Sequence, residues 1–173
     1  MKSYIIDIDG TILDGSSELN NSKQFMQFLQ NTGSDFLLAT NSIKSHDLQV
    51  QRLRAIGITV STEIIYTPID SINKYLERNK INNVYVVGNE SEISQIHATH
   101  SSNMPELIIL LDFEKNNFSY NNLQTVIDHI AEGAKIITAS RSTYYLKYKK
   151  KQIDTGAFVC LIESVTGLSI PVF

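Results

Sequence analysis

The chain has 173 residues, 42% of them hydrophobic and 19% charged, with a formal net charge of −3. That is enough chain to bury a core as one domain or as a domain with a small insert, and the acidic balance, with a pI near 5.8, argues against a general nucleic-acid or anionic-membrane binder. Acidic residues come too early for a signal peptide, the longest aliphatic run (Leu107 to Leu111) is too short to span a bilayer, and the single Cys160 can form no internal disulfide, so a cytoplasmic setting is expected.

The first element is the most informative. Tyr4 to Thr11 reads Y-I-I-D-I-D-G-T, an apolar strand ending in two carboxylates. Residues i and i+2 of a strand share a face, so Asp7 and Asp9 emerge together at its carboxyl end, where open α/β sheets bind ligands. Like charges this close call for a cation between them or a proton on one, and Mg²⁺ suits such an oxygen-donor site, with waters and phosphate completing its shell. Gly10 lets the backbone turn sharply. A calcium loop fails on spacing, because Thr11 and Ile12 stand where a third Asp or Asn and a Gly are required. Two solvated aspartates at a strand end are the plainer reading, and a catalytic or metal site is favoured over it. Asp14 and Gly15 follow and read as a turn.

Next, Ser22 to Gln30 carries Phe25, Met26, Phe28 and Leu29 at helical spacing and stops at Gly33. A second strand, Phe36 to Thr40, leads to Asn41 and Ser42. A helix from Ser45 to Ile56, carrying Leu48, Val50, Leu53 and Ile56, ends at Gly57. Thr67 and Pro68 read as N-cap and first residue of another helix, with Ile69, Ile72, Tyr75 and Leu76 inward. From about residue 83 a second α/β pattern begins: strand Val84 to Val87, helix Glu90 to Ile96, strand Leu107 to Leu111, helix Tyr120 to Ala131, strand Ala134 to Thr138. Alternation of this kind implies parallel sheets with helices on both faces. After Thr138 comes a loop rich in Tyr and Lys, T-A-S-R-S-T-Y-Y-L-K-Y-K-K-K. Arg141, or a lysine, could hold an anionic substrate group there, and Tyr144 and Tyr145 could pack on its apolar portion, against the alternative of a solvated basic loop. His97 and His100 lack further ligands for zinc. Cys160, within A-F-V-C-L-I, reads as a core cysteine.

D-x-D-G-T after a hydrophobic strand resembles the first motif of the haloacid dehalogenase-like hydrolases, most of which are phosphatases. D-F-L-L-A-T-N-S, from Asp35 to Ser42, is similar to the second, and T-N-x-S is the form of the NagD-like branch. L-R-A-I-G-I, V-Y-V-V-G and D-T-G-A-F-V-C-L-I-E-S-V-T-G agree with that branch, so the resemblance covers nearly the whole chain. It implies a doubly wound parallel-sheet core at 1–82 and 154–173 with an α/β cap domain inserted at 83–153. It implies further that Asp7 is the nucleophile, Asp9 the general acid and base, and that Mg²⁺ is bridged by Asp7, the Asp9 backbone carbonyl and the phosphate. Gly10, Thr11, Thr40, Asn41 and Ser42 would surround the phosphate, Ser42 being equally readable as a helix cap. The T-N-P-D common early in the cap loop is here T-A-S-R.

The family's third motif, a lysine, and fourth, an acidic pair, have no counterpart after Asp154, so the expectation is a core incomplete at its C-terminus. That would leave the first strand as an edge, to be covered by Ile170 to Phe173, by a second copy in a homo-oligomer, or not at all. The expected function is a Mg²⁺-dependent phosphatase acting on a small phosphorylated metabolite, with neither nucleic acid nor membrane as partner. The alternatives are a non-catalytic fragment of such an enzyme and, less favoured, a phosphate-accepting receiver domain.

Overall fold

The computed structural model describes residues 2–113, 119–147 and 150–173, and the chain divides into two compact units, Met1–Pro68 and Ile69–Phe173. The first carries β1 (Ser3–Asp7), β2 (Leu13–Asp14), β3 (Ser17–Glu18), α1 (Ser22–Asn31), β4 (Asp35–Ala39), α2 (His46–Ala55) and β5 (Ile65–Tyr66). β1, β4 and β5 form one parallel sheet in that order, β1 pairing with β4 from Ser3↔Asp35 to Asp7↔Ala39. Alternation along β1 sends Ile6 and then Ile8 into a cluster with Met26 and Leu29 of α1, Leu38 of β4 and Leu53 of α2. Ile5 points to the opposite face and is 78% exposed, so β1 is buried on one face only. Only some of the apolar positions of the first two helices are buried. α1 buries Ser22, Met26 and Leu29, with Phe25 and Phe28 exposed, and α2 buries Gln49, Val50 and Leu53, with Leu48 exposed.

The second unit runs through α3 (Pro68–Asn79, inside it from Ile69), β6 (Asn83–Val87), α4 (Glu90–Ile93), β7 (Thr99–His100), β8 (Leu107–Leu110), α5 (Tyr120–Ala131), β9 (Lys135–Thr138), β10 (Tyr144–Lys147), β11 (Lys150–Ile153) and α6 (Thr155–Thr166). Four parallel strands lie in the order β7-β6-β8-β9, and all four residues of β8 are buried, as a central parallel strand requires. The stretch expected as a loop after Thr138 is a hairpin instead, β10 pairing antiparallel with β11 from Tyr144↔Ile153; positions 148 and 149 lie outside the described residues. Tyr and Ile favour strands, and the Lys151 ammonium sits 4.1 Å from the centre of the Tyr144 ring, adding cross-strand attraction. Among the described residues no helix is long and apolar enough to cross a membrane.

Residues 154–173 group with the second unit. α6 turns Val159 and Ile162 into a cluster with Ile108 and Leu110 of β8, Val126 of α5 and Ile170. Cys160, one step from Val159, lies off that inward face and is exposed, so it is no core cysteine. The final residues extend the second sheet rather than covering β1: Thr138 N–H donates to the Pro171 carbonyl and Phe173 N–H to that of Thr138. β1 accordingly pairs only with β4 among the described residues.

Arg141 ties this region together. Its guanidinium forks onto both Glu163 oxygens, at 2.9 and 2.8 Å, and donates to the Ile170 carbonyl at 2.8 Å. The Arg141 hydrogen bond, and after it the Ile170 N–H, hold the Glu163 carboxyl below the ordinary glutamate value. A folded-state value lowered in this way contributes stability that is complete above the unfolded value and disappears as pH falls through the folded one. Urea midpoints across an acid series should therefore fall in that window, and Glu163→Gln should flatten this part of the profile. A Cβ on Gly156 would collide with the Arg141 carbonyl oxygen, a backbone atom that cannot swing aside as the end of a flexible side chain can. Gly156→Ala should lower the unfolding free energy by about 1–3 kcal/mol, measured by the same urea titration.

Candidate active site

The site lies where β1 stops. After Asp7 the chain curls into a tight turn: Ile12 and Leu13 N–H both donate to the Ile8 carbonyl, and Gly10 N–H donates to that of Leu13 at 2.7 Å. Gly10 has φ +88°, a conformation that costs a residue with a Cβ about 1–2 kcal/mol. Ile8, Ile12 and Leu13 are buried and anchor the turn from below, leaving Asp7, Asp9, Gly10 and Thr11 exposed above it. The Thr11 hydroxyl donates to Asp7 Oδ2 at 3.2 Å. Gly10 thus spends its own N–H within the turn, and its contribution is the shape of the backbone.

The second segment arrives through sheet pairing. Asp7 is in register with Ala39, so the residue after β4, Thr40, stands beside the residues after β1. Thr40 N–H continues the ladder to the Tyr66 carbonyl, at 3.0 Å. The Thr40 hydroxyl donates to Asp9 Oδ2 at 3.3 Å and accepts from Ser42 N–H at 3.0 Å. Asn41 is exposed and Ser42 half-buried. The cap of α2 is Ser45, whose hydroxyl accepts from Leu48 N–H, which leaves Ser42 outside the capping role. Asp7 with Thr11, and Asp9 with Thr40 and Ser42, thus form two hydrogen-bonded groups at the carboxyl ends of two neighbouring strands.

One participant escaped the sequence reading. Arg52 of α2 places both terminal nitrogens on the Asp9 carboxylate, Nη1 on Oδ2 at 3.3 Å and Nη2 on Oδ1 in a shorter contact. Nη1 also donates to Gln49 Oε1 at 2.7 Å, and Nη2 to the Gly15 carbonyl at 3.2 Å. The repulsion anticipated between the two carboxylates is thus relieved partly from within the chain, by a guanidinium on Asp9. The available signal was the pair Gln49 and Arg52, one helical turn apart on the first helix after the second motif; nothing in the sequence says which acid it reaches.

Arg141, Tyr144 and Tyr145 belong to the second unit. The Arg141 guanidinium is engaged by Glu163 and Ile170, which makes it a structural tie. Tyr144 faces Lys151, and Tyr145 is in register with Gln152. His100 accepts from Val86 N–H through Nδ1 at 3.1 Å. No cluster of three or more His, Cys, Asp or Glu side chains able to hold a metal occurs among the described residues.

Comparison with known proteins bears on the same motifs. The sequence profile of a family described as haloacid dehalogenase-like hydrolase matches residues 4–101. An acid sugar phosphatase of Staphylococcus saprophyticus is 25% identical over 179 aligned positions, covering 99% of this chain and 68% of the relative. Among solved structures, NagD from Escherichia coli K-12 superposes with a TM-score of 0.87 at 21% identity, covering 98% of this chain and 68% of that one. A glycerol phosphate phosphatase from Mycobacterium tuberculosis, in complex with magnesium, does so at 0.84 and 21%, covering 98% and 53%. The chain spans about two thirds of the length of the curated relatives it matches.

Proposed function

The chain belongs to the haloacid dehalogenase-like hydrolases, and from that premise we propose that it serves a Mg²⁺-dependent phosphatase acting on small phosphomonoesters. The observation that carries this reading is the convergence of Asp7, Asp9 and Thr40 at adjacent strand ends, held by the Thr11–Asp7 and Thr40–Asp9 hydrogen bonds.

In the proposed reaction an Asp7 carboxylate oxygen attacks phosphorus, the P–O bond to the leaving alcohol breaks in line, and an aspartyl phosphate forms. Asp9 gives its proton to the departing oxygen. In the second half it takes a proton back from the water that attacks phosphorus, and Asp7 is released with inorganic phosphate, so protons balance over the cycle. Asn41 and Ser42 supply neutral donors to the phosphoryl oxygens, with Thr40, whose hydroxyl hydrogen goes to Asp9, holding the Ser42 backbone beside them, and Thr11 and the turn at Gly10 shaping the floor.

The donor set fits a hard cation. Mg²⁺ is commonly held by one or two carboxylates, with waters and phosphate oxygens completing its shell. Asp7 meets only a hydroxyl in the contacts above, whereas Asp9 faces a guanidinium, so the Asp7 carboxylate and the Asp9 backbone carbonyl are the groups that would hold the ion. When bound, the ion neutralises charge on the phosphoryl oxygens. The magnesium complex of the Mycobacterium tuberculosis neighbour supports this choice of metal.

We assign the catalytic half to the first unit and the cap to the second, and a small sugar or polyol phosphate to the substrate, in keeping with the names of the acid sugar and glycerol phosphate phosphatases. The reading is tested with p-nitrophenyl phosphate. Turnover should require Mg²⁺ and vanish with a chelator, and Asp7→Asn should reduce it by on the order of 10³ or more, because an amide cannot form the acyl phosphate. Unchanged turnover by Asp7→Asn overturns the assignment.

A further inference from the structure

A carboxylate that delivers and retrieves a proton must point at the reacting oxygen, and the fork on Asp9 bears directly on that requirement. Resting on the phosphatase reading above, we propose that Arg52, itself oriented by the buried Gln49, is a positioning residue that sets the direction of the Asp9 carboxylate for proton transfer.

Three observations carry this. A bidentate guanidinium fixes the plane of a carboxylate as well as its place, which a single ammonium contact does not, and both Asp9 oxygens are engaged by Arg52. The Thr40 hydroxyl meets Oδ2 from the neighbouring strand end, so Asp9 is restrained from a helix and from the sheet at once. Arg52 is restrained in turn by the Gln49 carbonyl oxygen and that of Gly15.

The burial of Gln49 points the same way. It is completely buried on the face of α2 that packs into the first core, and its Nε2 has no hydrogen-bond partner there. A polar group in such a place normally counts against stability, and what it gains is the 2.7 Å bond that holds Arg52. The Asp9 side chain is 43% exposed, and an ion pair so open to water contributes little to folding. Orientation of Asp9 accounts for a buried amide supporting a half-exposed ion pair where stability does not.

Leaving groups separate positioning from mere support. Phenolate departs with help from a proton donor, whereas 2,4-dinitrophenolate departs without one. With phenyl phosphate, Arg52→Gln should lower kcat by about 10- to 100-fold with little change in KM, a share of what general acid–base catalysis and alignment ordinarily supply. With 2,4-dinitrophenyl phosphate the loss should stay below about 3-fold. Arg52→Lys, which keeps the charge and loses the fork, should fall between, and Gln49→Leu should shift the same ratio in the same direction. In an Asp9→Asn background Arg52→Gln should add no further loss with phenyl phosphate. Equal losses on both esters, or a loss that persists without the Asp9 carboxylate, overturn the proposal. Should Arg52→Gln fail to fold, as judged by its thermal transition, the lysine variant decides by the same ratio. Wild-type turnover that is absent, or indifferent to Asp7→Asn, overturns instead the phosphatase reading on which the proposal stands.

Discussion

Two carboxylates at the end of one strand set the terms for the first unit. Each prefers water and opposite charge, and they stand two residues apart on a backbone whose neighbours, Ile6 and Ile8, are locked into an apolar core. Like charges so near one another in the chain disfavour each other's ionised form. The surrounding chain is arranged to offset that. Gly10 breaks the strand, the turn back to Leu13 keeps the acids above the core, Thr11 and Thr40 give each a hydroxyl, and Arg52 brings a positive charge to one of them. The asymmetry matters for chemistry. In the proposed reaction the residue that attacks phosphorus needs an accessible oxygen and the one that handles a proton a fixed orientation; Asp7 meets a hydroxyl, and Asp9 a hydroxyl and a guanidinium.

The parallel register gives this division its geometry. Because Asp7 lies beside Ala39, whatever follows β4 is delivered to the acids, and α2 begins only a few residues later under the Ser45 cap. From there Arg52 reaches back over the same strand ends. One strand pair and the helix that follows it thus bring together Asp7, Asp9, Thr40 and Arg52, the residues to which the proposed reaction gives its roles. In the second unit the corresponding organising contact is the Arg141–Glu163 fork, which joins the segment after β9 to α6 and the final residues while Gly156 lets the two backbones touch.

Much of this was legible because it depends on short spacings. Period two places Asp7 and Asp9 together, Gly10 marks the turn, and Thr67-Pro68 followed by Ile69, Ile72 and Leu76 marks α3 with its buried face. What was not legible depends on tertiary choice. Arg52 meets Asp9 across 43 residues, and α2 carries enough apolar side chains that more than one face could have turned inward; the face chosen buries Gln49 and exposes Leu48. The A-F-V-C-L-I stretch is apolar on every side of α6, so composition could not tell that Val159 faces the core and Cys160 does not. The hairpin at Tyr144–Lys147 was hidden because its lysines read as a solvated loop, and residues 154–173 joined the second unit because α6 finds its apolar cover against α5 and β8.

The register of the two sheets also governs how quickly the chain can reach this state. Ser3 meets a partner 32 positions away, and Leu107 one 28 positions away; of the strand pairs, only the ribbons β2–β3 and β10–β11 close locally. Loop-closure entropy must be met before such distant contacts return anything, which places parallel α/β chains among the slower folders. During that interval the apolar Tyr4–Ile8 segment has no strand beside it and lies open to misassembly. The pairing that brings Asp7 beside Ala39, and so Thr40 beside the acids, is itself one of these long-range contacts, so the candidate site forms only when β1 and β4 have met.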